Sequence, residues 1–539
     1  MSLITVERGR VRPVRTGLPK SRQLRLGEQG WVFLAVLVVN ISAAALLLSQ
    51  DWLFNDGQSR VANGYFTVFS RDPHLAAIGF VWNPLPSLAA IPFLLLSPIF
   101  PIFASAGLAG ALVSALCGAG AAALLWKLLW RISTPRSGRL ALTAFFAAQP
   151  LILIGSADGA SESMLLLTCL LAADSLLAWV SDRDPRRLVV VGLGLALAYL
   201  TRYEAVGPAA LVIAAVLVLT WLRGGPHRRD FAANDAMLVG APFIAVFAGW
   251  AITSKLIVGE WFATFSSVYG NSAQVAASRA EIEWATGSGT GGALGYLAAQ
   301  LGVTSPLVVP LLIASVALSI RKRDLRPWAP IGILAAVWAF DAFAFLSGTS
   351  FGWLRFQVAA VPLGAFLAGY LWSEASQASR PKLRAWVAAG VIIALGASTS
   401  VSWMAMGDRK LAREEALMTD AAASGQREME RNIAAYIDGL SLPPGSVLSD
   451  VAYSSSIVLA SRNPSEFVIT PDRDFAACVA DPTGHNVQYA LVPMPSQAQG
   501  DAVLRTYPGF FDDGAGVATL AKEWKDRRGI TWKLFRFNT

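Results

Sequence analysis

The feature that most constrains this chain is a series of apolar runs, each about 20 residues long. A helix of this length crosses a hydrocarbon core of about 30 Å. The composition agrees, because 54% of the 539 residues are hydrophobic and only 15% are charged, whereas soluble domains carry about 25% charged residues. The sequence therefore predicts an α-helical polytopic membrane protein and excludes an ordinary soluble enzyme.

Twelve stretches are candidate spans: residues near 31–50, 84–103, 106–126, 140–154, 162–180, 188–200, 206–222, 237–254, 299–320, 328–346, 356–373 and 385–404. The stretch at 84–103 carries five prolines, and each proline removes a backbone donor and bends a helix that lipid would need intact. We expect this stretch to be a juxtamembrane or re-entrant element within a first outer loop, 51–105. About eleven spans remain.

The orientation follows from the basic residues in alternate loops. The loops at 127–139, 181–187, 223–236, 321–327 and 374–384 together hold 17 Lys and Arg, whereas the intervening loops after residue 126 hold four. Cytoplasmic loops are enriched in Lys and Arg. We therefore expect a basic cytoplasmic N-terminus (1–30), a long outer loop (255–298), an extracytoplasmic C-terminus and a location in the cytoplasmic (inner) membrane. The net charge of +8 then reflects topology and implies no nucleic-acid partner.

The domain organisation follows from a change in composition after residue 404. Residues 31–404 form the predicted transmembrane catalytic domain, and residues 405–539 mix acidic, basic and apolar residues as a globular domain does. The stretch 408–440 predicts a helix. Five short apolar runs then alternate with Pro, Gly and Asp turns, which predicts a C-terminal extracytoplasmic α/β domain.

Polar residues near lipid are costly, so their distribution is informative. On the predicted topology they converge on the outer side: Asn55, Asp56, Arg60, His74 and Asn83 in the first loop, Asp158 and Glu162 in the second, Arg202, Tyr203 and Glu204 in the third, Tyr269 in the long loop, and Arg355 in the fifth. A carboxylate can take a hydroxyl proton while fixed cations hold developing phosphate charge. The pattern indicates transfer of a group from a phosphate leaving group.

Several short motifs in this region occur in a familiar order. They are Asp51-Trp-Leu-Phe-Asn-Asp56-Gly-Gln-Ser-Arg60, Asn83-Pro-Leu-Pro86, Ser161-Glu162, Leu200-Thr-Arg202-Tyr-Glu204, and Arg355-Phe356 with Pro362 following. In order and sidedness the chain resembles glycosyltransferases of the GT-C superfamily, especially bacterial enzymes related to protein mannosyltransferases and lipid A aminoarabinose transferases.

The resemblance implies a polyprenyl-phosphate-linked sugar donor, an envelope glycan, lipid or protein acceptor reached from outside, and displacement with inversion. It implies that Asp56 is the base and that Arg355, with Arg202 and Arg60, binds the donor phosphate. The other polar residues named above would bind or support the substrates. Two departures matter. Asn55-Asp56 offers one carboxylate where the family often has two, so a divalent metal stays possible and no cofactor is certain. Asn83 replaces the family's histidine.

Each residue also has a structural interpretation. Asp56 could cap a helix, Arg60 could pair with Asp56 at i,i+4 spacing, and Arg355 could snorkel to the interface. Arg202 and Glu204 could simply pair, Asp158 and Glu162 could lie at a helix N-terminus as acids often do, and His74 could be a solvated loop residue.

Two further motifs favour structural interpretations. Residues 287–292 contain GxGxxG without a preceding strand or following Lys, and we interpret them as a flexible loop that gates the cavity. Asp472-Arg-Asp474 resembles a DxD motif but lies beside proline, which favours a turn.

The rival hypothesis is a polytopic transporter or lipid flippase with an outer accessory domain. Such proteins carry ionisable residues near the midplane of interrupted helices and often contain inverted repeats. Here no internal repeat is evident, and charged residues are absent from mid-span apart from Asp174 and Asp341. This distribution favours the glycosyltransferase.

Overall fold

The computed structural model describes residues 26–287, 289–377, 381–498 and 500–538. The basic residues before Leu26, on which the prediction of a cytoplasmic N-terminus depends, lie outside this part.

Between Leu26 and Ala405, the regular elements of the described residues are all helical. The α-helices are α1 (Leu26–Ser49), α2 (Asn55–Phe69), α3 (Leu85–Leu94), α4 (Ile102–Ser105), α5 (Leu108–Arg131), α6 (Arg136–Ala148), α7 (Pro150–Gly155), α8 (Glu162–Asp182), α9 (Arg186–Thr201), α10 (Val206–Trp221), α11 (Arg228–Val258), α12 (Ala263–Ser266), α13 (Asn271–Ala277), α14 (Arg279–Thr286), α15 (Gly289–Thr304), α16 (Val308–Lys322), α17 (Trp328–Pro330), α18 (Ala336–Leu346), α19 (Ala360–Ser376) and α20 (Pro381–Ala405). A π-helical turn (Ile331–Ala335) joins α17 to α18.

Within the described residues, eight helical segments are long and apolar enough to cross a membrane, and they correspond to α1, α5, α8, α10, α11, α17–α18, α19 and α20. The pair α15 and α16 is bent by 81° and would make a ninth span if it crosses as one. The chain is therefore a multi-pass membrane protein of the predicted class. Two of the eleven predicted spans are shorter than the rest: α9 has 16 residues, and the stretch at 140–154 is divided between α6 and α7.

The division between α6 and α7 has a local cause. Pro150 begins α7, and Gln149 before it is extended, with φ −63° and ψ 127°, as a residue preceding proline prefers. The buried Gln149 amide donates to the Thr304 carbonyl at 2.6 Å and to Ser402 Oγ at 2.7 Å. The break thus joins α7 to α15 and α20.

The proline-rich element at 84–103 does not form a long helix. Its one substantial helix, α3, has ten residues and contains Pro92, too few for the bilayer core. It packs beside α2 and α5. This agrees with the prediction of a juxtamembrane element.

The C-terminal region forms an α/β layer structure. Its elements are α21 (Arg413–Ser424), α22 (Gln426–Leu440), β1 (Val447–Ser449), α23 (Val451–Ala460), β2 (Phe467–Ile469), α24 (Phe475–Ala480), β3 (Tyr489–Pro493), α25 (Ala502–Thr506), α26 (Phe510–Asp513), β4 (Ala518–Lys525) and β5 (Thr531–Phe537). The strand order is β2-β1-β3-β5-β4; β1 is parallel to β2 and β3, and β5 is antiparallel to β3 and β4.

Two sequence interpretations are corrected here. The predicted single helix over 408–440 is wrong, because Gly425 adopts φ 76° and divides it into α21 and α22. The glycine motif at 287–292 is not entirely a loop, because α15 begins at Gly289; Ser288 lies outside the described residues.

One apolar core is shared between the first predicted outer loop and the sheet. It joins Phe66 of α2 to Ile433 of α22, Ile457 of α23 and Phe467 of β2, all with fully buried side chains. The C-terminal region is therefore packed against α2, which carries Asp56.

Candidate active site

Five of the predicted site residues come from four separate parts of the chain, and each of the five lies at or next to a helix end. Asp56 lies in the first turn of α2, and Glu162 is the first residue of α8. Arg202 and Glu204 lie where α9 passes into α10, and Arg355 lies in a 3-10 turn before α19. The two carboxylates at helix N-termini are placed where the helix dipole favours negative charge.

Glycine allows α2 to reach its place. A Cβ on Gly57 would lie 2.4 Å from the Asp158 carbonyl oxygen, and Gly159 adopts φ 83° against Gly110 of α5. No side chain larger than hydrogen fits at residue 57. This contact sets the N-terminus of α2, and with it Asp56, against the segment that leads into α8.

Arg355 is the centre of the cluster. Its Nη2 donates to Asp56 Oδ2 at 2.7 Å and its Nη1 to Glu162 Oε1 at 2.7 Å. Its Nε lies 2.7 Å from Glu414 Oε2. The guanidinium also lies 4.8 Å from the ring centroid of Phe54. One cation therefore connects carboxylates of α2, α8 and α21.

Arg202 extends the cluster on the other side of Glu162. Its Nη1 donates to Glu162 Oε1 at 2.5 Å, and its Nη2 donates to Glu204 Oε1 at the same distance. The Phe356 ring lies 5.1 Å from the Arg202 guanidinium and 5.3 Å from that of Arg355. The Arg202–Glu204 pair expected from sequence forms, and Glu162 bridges the two arginines.

Arg60 is arranged differently. Its Nη1 donates to the backbone carbonyl of Asp56 at 3.3 Å, one turn earlier in α2, and the guanidinium lies 5.9 Å from the Trp82 ring centroid. Its buried Nε has no hydrogen-bond partner in the part of the chain that the structure describes. Arg60 thus has an unused donor, whereas Arg202 and Arg355 donate to carboxylates.

The electrostatic surroundings of Asp56 keep it ionised. Burial by itself would raise the pKa of this carboxyl, but the charges of Arg355 and then Arg60 outweigh burial and lower it. Asp158 behaves in the opposite way. Burial raises the pKa of its carboxyl to about 8, and the nearby Glu162 adds to this effect, although the Ala160 backbone N–H donates to it at 2.8 Å.

The other five predicted residues are Asn55, His74, Asn83, Tyr203 and Tyr269, and their side chains have other partners. Asn55 accepts from Arg427 Nη2 at 3.0 Å, and Tyr203 packs edge-on against Phe265. The side chains of the remaining three have partners elsewhere: the Asn83 amide donates to the Tyr199 carbonyl, His74 Nδ1 lies 2.6 Å from the Asp72 carbonyl oxygen, and Tyr269 donates to Asp450 Oδ2 at 2.7 Å.

Asp472 and Asp474 serve a different contact. Both accept from Arg71, which follows α2, and the neighbouring Arg473 donates to Asp72 at 2.9 Å. The DxD-like motif is therefore part of a turn that ties the C-terminal region to the first predicted outer loop. Among the described residues, no group of three or more His, Cys, Asp or Glu is arranged to hold a metal ion.

Sequence reasoning missed Glu414. It is the second residue of α21, and its side chain is buried against Arg355. The available signal was the pair Glu414-Glu415, which opens an amphiphilic helix directly after the last span. The pair looks like ordinary helix N-terminal acids, and spacing alone does not show that the chain returns to the cluster.

Comparison with known proteins bears on the fold and on part of the sequence. Residues 89–252 match the model of a family described as dolichyl-phosphate-mannose-protein mannosyltransferase. The structure is similar to that of ArnT from Cupriavidus metallidurans bound to undecaprenyl phosphate, with a TM-score of 0.53 at 14% identity over 95% of this chain and 98% of that chain. The chain has the GT-C fold.

The apo structure of ArnT from the same organism gives a TM-score of 0.52 at 14% identity, over 94% of this chain and 98% of that one. No curated protein sequence matches the chain. The family match over residues 89–252 and the GT-C fold agree with the resemblance seen in the motifs.

Proposed function

We propose that this GT-C protein transfers a sugar from a polyprenyl-phosphate carrier to an acceptor hydroxyl, with inversion and with Asp56 as the base. The acceptor is an envelope glycan, lipid or protein on the outer side of the cytoplasmic membrane. The partial match to a dolichyl-phosphate-mannose family and the similarity to ArnT bound to undecaprenyl phosphate support a lipid-phosphate donor.

The observation that carries the proposal is the contact between Asp56 and Arg355, 299 residues apart in sequence and 2.7 Å apart in space. A direct displacement needs a proton acceptor near the attacking hydroxyl and a cation near the leaving phosphate, both within reach of one reacting carbon. The cluster holds both groups on rigid helix ends, with Arg202 and Arg60 nearby as further phosphate ligands.

In the expected reaction, one bond to the anomeric carbon forms and another breaks. The acceptor oxygen forms a bond to the anomeric carbon, and the bond from that carbon to the phosphate oxygen breaks. The phosphate leaves with the electron pair, held by the arginines, and the hydroxyl proton passes to Asp56. Donor binding strengthens the base, because a phosphate that takes up the charge of Arg355 and Arg60 reduces the two largest charge effects that lower the pKa of Asp56.

The decisive experiment uses the full-length protein in nanodiscs. It is incubated with a panel of polyprenyl-phosphate sugars together with membrane acceptors, and consumption of each donor is followed by mass spectrometry. We expect one donor to be consumed, and Asp56→Asn to slow transfer by about 10²–10⁴-fold while polyprenyl-phosphate binding persists.

Asp51→Asn is the matched control, because Asp51 pairs with Arg431 on the surface near Asp56 but outside the cluster. It should retain wild-type turnover. Full turnover by Asp56→Asn would remove Asp56 from the mechanism, and survival of every donor with no detectable binding of any would contradict the proposed function.

A further inference from the structure

Glu414 stands out because it completes the coordination of Arg355 and comes from the C-terminal region. The two terminal nitrogens of Arg355 make well-formed hydrogen bonds to Asp56 and Glu162. The third polar edge, Nε, faces Glu414 Oε2 at 2.7 Å. No edge of this guanidinium is therefore open to a phosphate in the donor-free protein.

The contact with Glu414 is the weakest of the three. Although the atoms are close, both Arg355 Nε and Glu414 Oε2 lack a hydrogen bond of acceptable geometry in the described structure, and both atoms are buried. A hydrogen bond to a charged group depends on direction as well as distance. A ligand that brings a well-aligned anionic oxygen can therefore replace Glu414 more easily than it can replace Asp56 or Glu162.

The position of Glu414 is fixed by its neighbour. Arg413 Nη2 donates to the Phe351 carbonyl at 2.7 Å, and its guanidinium lies 4.6 Å from the Trp353 ring centroid. Both contacts are within four residues of Arg355. The start of α21 is thus held against the turn that carries Arg355, and Glu414 faces Nε as a consequence.

We propose that Glu414 occupies the place of the donor phosphate on Arg355, and that the phosphate of a polyprenyl-phosphate ligand displaces it on binding. This inference rests on the proposed function and makes Glu414 a positioning residue: it keeps Arg355 in its binding orientation while the site is empty. The displaced carboxyl then returns to Nε and helps to expel the polyprenyl phosphate after transfer.

The charges around Glu414 support such an exchange. Burial raises its pKa well above the ordinary value, against the opposing charge of Arg355, and the carboxylates of Asp56, Glu415 and Glu162 add to the rise. The carboxyl therefore keeps its proton to a higher pH than an ordinary glutamate does, and in the protonated form it binds Arg355 less strongly than a carboxylate would. As the pH rises it ionises and competes more strongly with the phosphate.

The test measures binding of polyprenyl monophosphate to full-length protein in nanodiscs, for the wild type, Glu414→Gln and Glu414→Ala. Glutamine keeps the shape of the side chain and does not ionise. We expect the ratio of the wild-type Kd to the Glu414→Gln Kd to rise with pH, by up to about tenfold, a change of the size expected for one charge-assisted contact. Titration of the ligand phosphate and of Asp158 affects both proteins and cancels in the ratio.

With the sugar-bearing donor, Glu414→Ala should lower the donor KM and also lower kcat, because product release becomes slower. A purely structural role for Glu414 would not lower KM and kcat together. Glu428→Gln, on the exposed face of α22, is the matched control and should behave as the wild type.

A flat Kd ratio across pH, or weaker polyprenyl-phosphate binding by Glu414→Ala, would overturn the inference while leaving the proposed function standing. If the wild-type protein binds no polyprenyl monophosphate at any pH, the proposed function itself fails, and the two failures are thereby distinguished.

Discussion

At the scale of single residues, Arg355 is the side chain on which the cluster depends. Three buried or partly buried carboxylates lie within 2.7 Å of its nitrogens. Removing one partner of a buried ion pair leaves uncompensated charge and costs about 3–5 kcal/mol. The same side chain is the proposed phosphate ligand, so stability and activity should respond together when it is changed.

Replacing Arg355 with lysine should separate charge from geometry. Lysine retains the positive charge but has no planar fork, so it cannot hold Asp56 and Glu162 in their present orientation. We expect the rate of sugar transfer to fall by roughly 100-fold, as misplacement of reacting groups by about 1 Å can cause, together with a lower Tm. Initial rates and thermal unfolding check this. Arg431→Lys, in the exposed pair with Asp51, should change neither; a fully active Arg355→Lys would show that the fork is not needed.

Asp158 predicts a dependence of stability on pH. Its pKa is about 8 in the folded protein and about 3.9 in an unfolded chain. Between these values the folded state holds a proton that the unfolded state has lost, so its contribution to stability is lost as the pH rises. Asp158→Asn cannot ionise. The Tm of this variant minus that of the wild type should therefore grow from pH 5 to pH 9, and an unchanged difference would contradict the assignment.

At the scale of elements, the segment between α11 and α15 is a separate layer over the site. Its α12, α13 and α14 are short, and α14 has no buried residue. Its shortest hydrogen bonds to parts of the described chain that are distant in sequence run from Tyr269 to Asp450 Oδ2 at 2.7 Å and from the Asn271 amide to the Thr349 carbonyl at 2.6 Å. Glu281 also lies 3.8 Å from Arg413. Tyr203, next to Arg202, packs against Phe265 of this segment. A segment of short helices with so few buried residues is suited to open for substrate entry.

Tyr269→Phe should loosen this layer without disturbing the cluster. The variant loses one hydrogen bond to a carboxylate, worth about 1.5–3 kcal/mol. Backbone amides of residues 263–277 should then exchange with deuterium about tenfold faster or more, while those of α2 and α8 stay unchanged. Tyr436→Phe is the control, because the Tyr436 ring packs on Trp524 far from this segment. Unchanged exchange in Tyr269→Phe would mean that the bond does not hold the layer closed.

The elements show which properties sequence can predict. All five strands of the C-terminal sheet lie at the short apolar runs found in the sequence, and Asp56, Glu162, Arg202 and Arg355 were named from their position at span ends. These features depend on local composition. Three other features depend on tertiary contacts or on the backbone conformation of one residue: the break at Gln149–Pro150, the division at Gly425 and the contact of Glu414 with Arg355. The apolar periodicity of the sequence does not predict them.

At the scale of the whole molecule, the cluster is useful only if its residues face the compartment that holds the acceptor. The C-terminal region packs on α2 through a shared apolar core and through the pairs Arg71–Asp472 and Asp51–Arg431. Asp56 and this region must therefore lie on the same side of the membrane. The basic loops predict that this is the outer side, and the reaction proposed here requires it.

Cysteine accessibility tests this sidedness. The three native cysteines are buried, so the unsubstituted protein should react slowly with a membrane-impermeant maleimide and give a low background. Glu283→Cys in α14 and Glu428→Cys in α22 place thiols at exposed positions of the predicted outer side, and Arg229→Cys places one at an exposed position of the predicted cytoplasmic side. In intact cells the first two should react and the third should react only after permeabilisation. Protection of residue 428 in intact cells would reverse the topology, and a reaction at the outer surface would then be impossible for this cluster.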